Sequence, residues 1–386
     1  MINKFTFHPV GQGLFYTGQL GCDYFYLRDN NYNFIFDCGS LSGDNFLHSA
    51  IDNYLASLHG QDIDLCVISH LHCDHYNGLE YLLKQVRINR IVLPYLPNDS
   101  MVRFVVLVGQ FFNGSGTIAW TQDIIQNLKI LSNLYGIDER WPIEGHRPEM
   151  FFSEEMVGTF RDNNTQCFQY NIISNRFPSN WQIECYNKTL SNDKWQKLSN
   201  DIVNELQKRE FNDVSELLNY DPTIISEIAK IYRKYFSNQN PTSIIMKHYS
   251  KSNSYGLYPN DSNILQHYLD CYERNCLWRE IELFGRKNAN ITVLTGDAEF
   301  DKDLQKIVFE DYHGIGALQL PHHGSYNNWR RIQLPDFFDG TSVISFGLGN
   351  YYGHPSAKTI KEVNGLKYSG IILVNQKDRY QYYIIN

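Results

Sequence analysis

The densest chemistry in the sequence lies in six consecutive residues, His70, Leu71, His72, Cys73, Asp74 and His75. Imidazole and carboxylate are borderline ligands that suit zinc, manganese and iron, and so many of them in one short stretch are hard to explain by packing. Spacing adds direction. His70 and His72 lie two apart, so an extended loop can point both to one side, while Asp74 and His75 can turn towards a second ion beside the first. Two adjacent divalent cations lower the pKa of a shared water towards neutrality and stabilise charge on the attacked centre. The chemistry predicted is hydrolysis by a pair of metal ions, with Asp74 placed to orient the hydroxide or take its proton. Cys73 reads as a spacer turned away, because the segment already holds enough ligands.

Three later segments offer further ligands. LTGD ends in Asp297, whose two oxygens can bridge two ions; LPHHGS carries His322 and His323, one of which can be a ligand; GNYYGHP carries Asn350 and His354. Alone each is weak, because a strand-end Asp is often a helix cap and a lone His is usually an ordinary hydrogen-bonded residue. Together they repeat one arrangement, an apolar strand delivering a polar side chain at its end.

The elements that must position these residues follow from periodicity. Residues 5–7, 14–17, 24–27 and 33–36 read as short strands separated by Gly, Asp and Asn turns, and 45–58 as a helix. The apolar run 64–69 reads as a strand, followed by the His cluster, a helix over 78–86 and a strand over 90–95. That unit puts the polar cluster at the C-terminal end of a strand, where open α/β architectures place ligands. Residues 1–97 form a first half. Region 98–238 reads as a mainly helical insertion, with helical periodicity over 120–135, 191–209, 213–218 and 223–236. Residues 239–386 form a second half, with strands at 243–248, 291–295, 317–320, 342–346, 370–374 and 380–385 and a smaller insertion at about 250–287.

Composition narrows the class. At 386 residues, 42% hydrophobic and 20% charged, the chain can bury a substantial core. Its eight cysteines show no CxxC spacing, which argues against a disulfide framework. No apolar run of about 18 residues and no signal-peptide pattern are present, so the expectation is a cytoplasmic protein without a membrane segment. A formal net charge of −8 argues against a generally basic surface for nucleic acid, although bound cations can offset it locally. Exposed rings among the 27 Tyr, 23 Phe and 6 Trp could stack on bases; most are expected in the core.

The order HxHxDH, TGD, HHGS resembles the metallo-β-lactamase superfamily, and the details resemble the hydrolase domain of the competence protein ComEC. VGQG (10–13), FDCG (36–39), NPTS (240–243), LTGDAE (294–299), LPHHGS (320–325) and ISFGLGNYYGHPS (344–356) carry that likeness, over roughly 1–95 and 240–386. The resemblance implies an αββα sandwich with a dinuclear site at one edge. It further implies that His70 and His72 hold the first ion and Asp74 and His75 the second, with Asp297 bridging and His322 completing the second. Asp37 would lie beneath the site and orient a ligand. Where the superfamily usually supplies a third His to the first ion, this sequence has Asn240, a weaker ligand; His146 and His248 are possible substitutes. His354, with Asn350, would contact a phosphate oxygen or protonate the leaving group.

The function expected is a metal-dependent hydrolase with two divalent ions, zinc or manganese, acting as a phosphodiesterase or nuclease on DNA or nucleotides. Lactone, thioester or β-lactam hydrolysis is the alternative on the same fold. A third reading makes the chain a non-catalytic or partner-gated subunit that docks a protein through the helical insertion, with bacterial antiviral defence as a natural setting.

Overall fold

The computed structural model describes residues 2–22, 31–96, 99–113, 122–151, 157–161, 165–171, 178–190, 192–211, 219, 221–235, 243–252, 254–257, 286–287, 289–300, 302–309, 314–332, 334, 338–366 and 370–385. Among these residues the strands fall into two sheets. The first contains β1 (Ile2–Phe7), β2 (Phe15–Cys22), β3 (Tyr32–Cys38), β4 (Leu65–Val67), β5 (Arg90–Val92) and β6 (Glu149–Phe151). The second contains β7 (Val157–Arg161), β8 (Thr165–Asn171), β9 (Trp181–Leu190) and β10 (Ile244–Ser250). β11 (Tyr255–Leu257) and β12 (Arg286–Lys287) return to the first sheet, β13 (Ile291–Leu294), β14 (Ile315–Gln319), β15 (Thr341–Ser345) and β16 (Gly370–Val374) to the second, and β17 (Tyr380–Ile385) to the first. The spatial orders are β12-β11-β17-β1-β2-β3-β4-β5-β6 and β16-β15-β14-β13-β10-β9-β8-β7.

Side chains alternate across each strand, and that alternation builds three layers of core. Phe34 and Phe36 of β3, with Leu65 and Val67 of β4, point inward to meet Ile244 and Met246 of β10 and Leu294 of β13. The intervening Ile35 and Cys66 point outward beneath helices α1 (Asp44–Ser57), α3 (Leu79–Gln85), α4 (Ser100–Asn113), α5 (Gln122–Leu134), α6 (Asn192–Lys208) and α7 (Pro222–Tyr235); α2 (Cys73–Tyr76) is the short helix between α1 and α3. On the far side Ile245, Val293 and Leu318 are covered by α8 (Lys302–Val308), α9 (Tyr326–Trp329) and α10 (Ala357–Asn364). Helix, sheet, sheet, helix is the expected αββα sandwich.

Region 98–238 departs from the helical insertion read in the sequence. Its β6 pairs parallel with β5 at the edge of the first sheet, and β7, β8 and β9 supply one side of the second, β9 pairing antiparallel with β10. The reason is visible in β9, where Trp181, Ile183 and Cys185 enter the core between the sheets while Gln182 bonds Glu184 on the opposite face. The strand expected at 24–27, the helix expected at 213–218 and most of 250–287 lie outside the described residues; β11 and β12 extend the first sheet from the ends of that last segment. No helix among the described residues is long and apolar enough to cross a membrane.

Candidate metal centre

Strands β3 and β4 run parallel, as do β13, β14 and β15, so their C-terminal ends deliver side chains to one edge of the sandwich. From β4 the chain passes through His70 to His72, which keeps an extended backbone (φ −77, ψ 144), and then turns into α2 with Asp74 and His75 in its first turn. The extended segment lets His70 and His72 converge, and the helical turn swings the next two ligands sideways. Gly13 and Gly39 leave room for this: a Cβ on Gly39 would stand 2.4 Å from the carbonyl carbon of Asp74, and one on Gly13 2.7 Å from the Asp74 oxygen. The glycines of VGQG and FDCG therefore serve the backbone of HLHCDH.

Two groups of ligand atoms result. Those of His70, His72 and Asp297 lie within 4.8 Å of one another, as do those of Asp74, His75 and His323. Asp297 faces both groups, with Oδ2 3.5 Å from Nε2 of His70 and Oδ1 3.4 Å from Nε2 of His75. Nε2 of His70, Nε2 of His75 and Oδ1 of Asp297 are buried with no hydrogen-bond partner. Each such orphaned atom costs about 1–3 kcal/mol unless something meets it. Divalent cations between the groups would meet all three, and the mixed imidazole and carboxylate set has the right chemistry for them.

The support beneath is equally defined. Nδ1–H of His75 donates to Oδ2 of Asp37 (2.7 Å), and Asp37 also accepts from the Ser69 backbone N–H (2.6 Å) and hydroxyl (2.7 Å). His323 donates from Nδ1 to the Ser345 carbonyl (2.8 Å), which turns its Nε2 to Asp74, 3.1 Å away. In both rings the outer nitrogen is fixed by a partner and Nε2 faces the centre, the usual arrangement around a metal. Asp37 (φ 58), His322 (φ 50) and His323 (φ 52) all hold left-handed backbone, a strain of about 1–3 kcal/mol each that clusters where ligands are aimed.

Three buried carboxylates dominate the field. Burial alone would lower the His75 imidazole, but Asp37, Asp297 and Asp74 outweigh it and hold it well above the usual range. Burial would raise Asp297, yet the imidazoles of His322, His75 and His70 pull it well below an ordinary carboxylate, and burial of Asp74 is likewise overcome by His75 and His323. His70 is pushed down to about 3 by burial and then by His75. The centre thus concentrates negative charge that calls for a cation.

Residues 17–149 match the sequence model of the metallo-beta-lactamase superfamily. The chain carries a metallo-β-lactamase fold. No curated protein matches the chain. The matched span runs from β2 to the start of β6 and contains His70, His72, Asp74 and His75; Asp297 and His323 lie beyond it. A metallo-β-lactamase fold with paired His/Asp clusters supports a metal-dependent hydrolase in general.

In this metallo-β-lactamase fold the structure redistributes several expected roles. His322 was expected to complete the second ion, but the side chain grouped with Asp74 and His75 is its neighbour His323; His322 is 39% exposed, its Nδ1 3.8 Å from Asp297. Asn350 was expected to face a phosphate, and instead its amide is spent on its own loop: Nδ2 donates to the carbonyls of Gly347 and His354, and Oδ1 accepts from the backbone N–H of Tyr352 and His354. All four of its hydrogen-bonding positions are thereby filled. That loop holds the His354 ring 5.2 Å from the His322 ring, with Nδ1 of His354 buried and unpartnered. His248 is not a substitute ligand, because it lies between the sheets, stacked on Phe5 at 4.7 Å and bonded through Nε2 to the Tyr16 hydroxyl at 2.6 Å. His146 is exposed and in neither ligand group. Asn240 lies outside the described residues. Cys73 is buried and in neither group, as a spacer would be.

Two positioning residues were missed in the sequence. Ser69 ties Asp37 to the cluster and lies 3.0 Å from Nδ1 of His70, and Gln319 holds the TGD turn by accepting from the backbone N–H of Thr295 (2.8 Å) and Gly296 (2.9 Å). Both immediately precede or closely flank ligand motifs, which is the signal that could have marked them.

Proposed function

We propose that the chain is a phosphodiesterase that cleaves nucleic acid, with zinc or manganese held by His70, His72 and Asp297 on one side and Asp74, His75 and His323 on the other. What such ions supply when bound is Lewis acidity towards phosphoryl oxygens and a nucleophile at neutral pH. The observation that most favours a nucleic-acid substrate is the rim. The loop that presents His354 also carries Tyr351, fully exposed, and Tyr352, 51% exposed, with Leu348 beside them. The Tyr352 phenol is pushed up by burial and then by Asp74 of the ligand cluster. Exposed aromatic rings beside a centre that bound divalent ions would make cationic suit base stacking, about 1–3 kcal/mol per base and tolerant of sequence. The ComEC-like order of motifs supports the same reading.

The chain's own residues divide the work. Asp37 keeps Nε2 of His75 aimed at the centre, and the Ser345 carbonyl does the same for His323. Asp74 lies against His323, where it can orient a nucleophile or take its proton. His354, held by Asn350, offers a ring nitrogen to a phosphate oxygen or to the leaving group.

The test sets bis-p-nitrophenyl phosphate, single-stranded DNA and plasmid with Mn²⁺ against nitrocefin and acyl-lactones. Phosphodiester cleavage is expected, and its loss in Asp297→Ala. Replacing Tyr351 and Tyr352 by Ala is expected to slow DNA cleavage about tenfold while sparing the small diester. DNA cleavage that survives Asp74→Ala, or turnover of the lactones alone, refutes the reading.

A further inference from the structure

A helix laid on a sheet normally meets apolar side chains, and α1 does so over β3 and β4, where Leu47 and Ile51 join Ile35 and Cys66. Over the neighbouring strands the same helix meets a polar floor. β1 and β2 set Lys4 opposite Gln19 and Thr6 opposite Thr17, and β17 sets Gln381 opposite Thr6. With Arg379, these side chains and the α1 residues Phe46, Ser49 and Asn53 enclose a cavity of about 190 Å³. Among the described residues, the charged side chains that line it are those of Lys4 and Arg379, in a chain of formal net charge −8. Both cations act on one neighbour in the wall. His8, also in the wall, is bonded through Nε2 to the Thr17 hydroxyl (2.8 Å), and its imidazole is pushed down to about 3 by burial and then by Lys4 and Arg379 together.

We propose that this cavity is a second ligand site, separate from the metal centre, for a small phosphate-bearing molecule. Two cations supply the charge, and the amides and hydroxyls of Gln19, Gln381, Ser49 and Asn53 supply neutral hydrogen bonds. The volume lies below the range of about 300–1,000 Å³ usual for drug-sized ligands, which fits a phosphomonoester. Phe46, 43% exposed at the rim, offers a ring to any base or sugar the phosphate carries.

The wall of this site is shared with the catalytic rim. Gln376 lines the cavity, donates from Nε2 to the Ser42 hydroxyl (3.1 Å) and accepts from the Leu348 N–H (2.8 Å) on the loop that carries His354. The Ser42 hydroxyl in turn accepts from the Gln12 N–H (2.8 Å), and the Gln12 side chain accepts from the Gly347 N–H (3.3 Å). A ligand that bonds Gln376 therefore bears on the anchor of the His354 loop.

Calorimetric titration of the metal-free protein with inorganic phosphate and with adenosine monophosphate tests the site. Binding of at least one probe is expected, weakened tenfold or more in the double variant Lys4→Gln, Arg379→Gln and in Ser49→Asp, and unchanged in Asp297→Ala. Ser49 is exposed on α1, so Ser49→Asp introduces a repelling charge without disturbing β1. The proposal is overturned if neither probe binds at about 10 mM, or if binding persists in Ser49→Asp and disappears in Asp297→Ala.

Discussion

Nδ1–H of His75 donates to Oδ2 of Asp37 across 2.7 Å, and that single bond decides which nitrogen of His75 faces the centre. Its remaining bonds go to Ser69, whose hydroxyl lies 3.0 Å from Nδ1 of His70, so the contact of Asp37 with His75 is the direct one and the link to His70 runs through Ser69. Asp37→Asn places an amide N–H where an acceptor stood and favours the opposite tautomer. Metal affinity is expected to fall about 10–100-fold, measured by competition with a chelating dye. Unchanged affinity in the folded variant would show that Asp37 serves only to hold Ser69.

The assignment of adjacent histidines can be separated by elemental analysis. His323→Ala is expected to lose metal from the group formed with Asp74 and His75, whereas His322→Ala keeps the wild-type stoichiometry. Asp297→Ala, which removes a ligand facing both His70 and His75, is expected to lower occupancy more than either. Equal loss from His322→Ala and His323→Ala would contradict the grouping.

Gly39→Ala tests the packing of the ligand segment. The added methyl would stand 2.4 Å from the carbonyl carbon of Asp74 and 2.5 Å from the amide nitrogen of His75, both backbone atoms that cannot swing aside. A destabilisation of about 3 kcal/mol is expected in urea unfolding, at the upper end for overpacking, together with weaker metal binding. A neutral result would mean that the Asp74–His75 turn shifts freely.

The core between the sheets carries its own pH dependence. Burial pushes the His248 imidazole down to about 3, below its value of about 6.5 in the unfolded chain, so the unfolded state binds the extra proton. Stability from this residue is present above about pH 6.5 and is lost as pH falls towards 3, with a slope of at most about 1.4 kcal/mol per pH unit. Urea unfolding of the metal-free protein between pH 5 and 6.5 is expected to show a shallower slope in His248→Gln than in the wild type. Equal slopes would place the protonation elsewhere.

Much of the fold was legible because short apolar runs bounded by turns are strands in either sheet. β16 and β17 fall on the expected 370–374 and 380–385. β9 was not, although Trp181, Ile183 and Cys185 alternate, because polar residues between them and helical stretches on its C-terminal side masked a half-buried strand. At the site, residue types located the ligand loops, since only a centre explains so many imidazoles at strand ends. They could not choose between His322 and His323, which occupy one tight 3-10 turn; the choice follows from the Ser345 carbonyl on β15, a long-range contact. Asn350 misled for a related reason. An amide suited to a phosphate is equally suited to closing the turn that holds His354.

The ligands come from both halves of the sandwich. His70, His72, Asp74 and His75 follow β4 of the first sheet, while Asp297 and His323 follow β13 and β14 of the second. The centre is therefore a clasp across the seam, complete only while the sheets stay docked. Ions bound there would fasten two layers that are joined elsewhere by side-chain packing, so chelation should loosen the sandwich as a whole. A fragment limited to residues 17–149 would keep four of the ligands and lack the surface that closes on them.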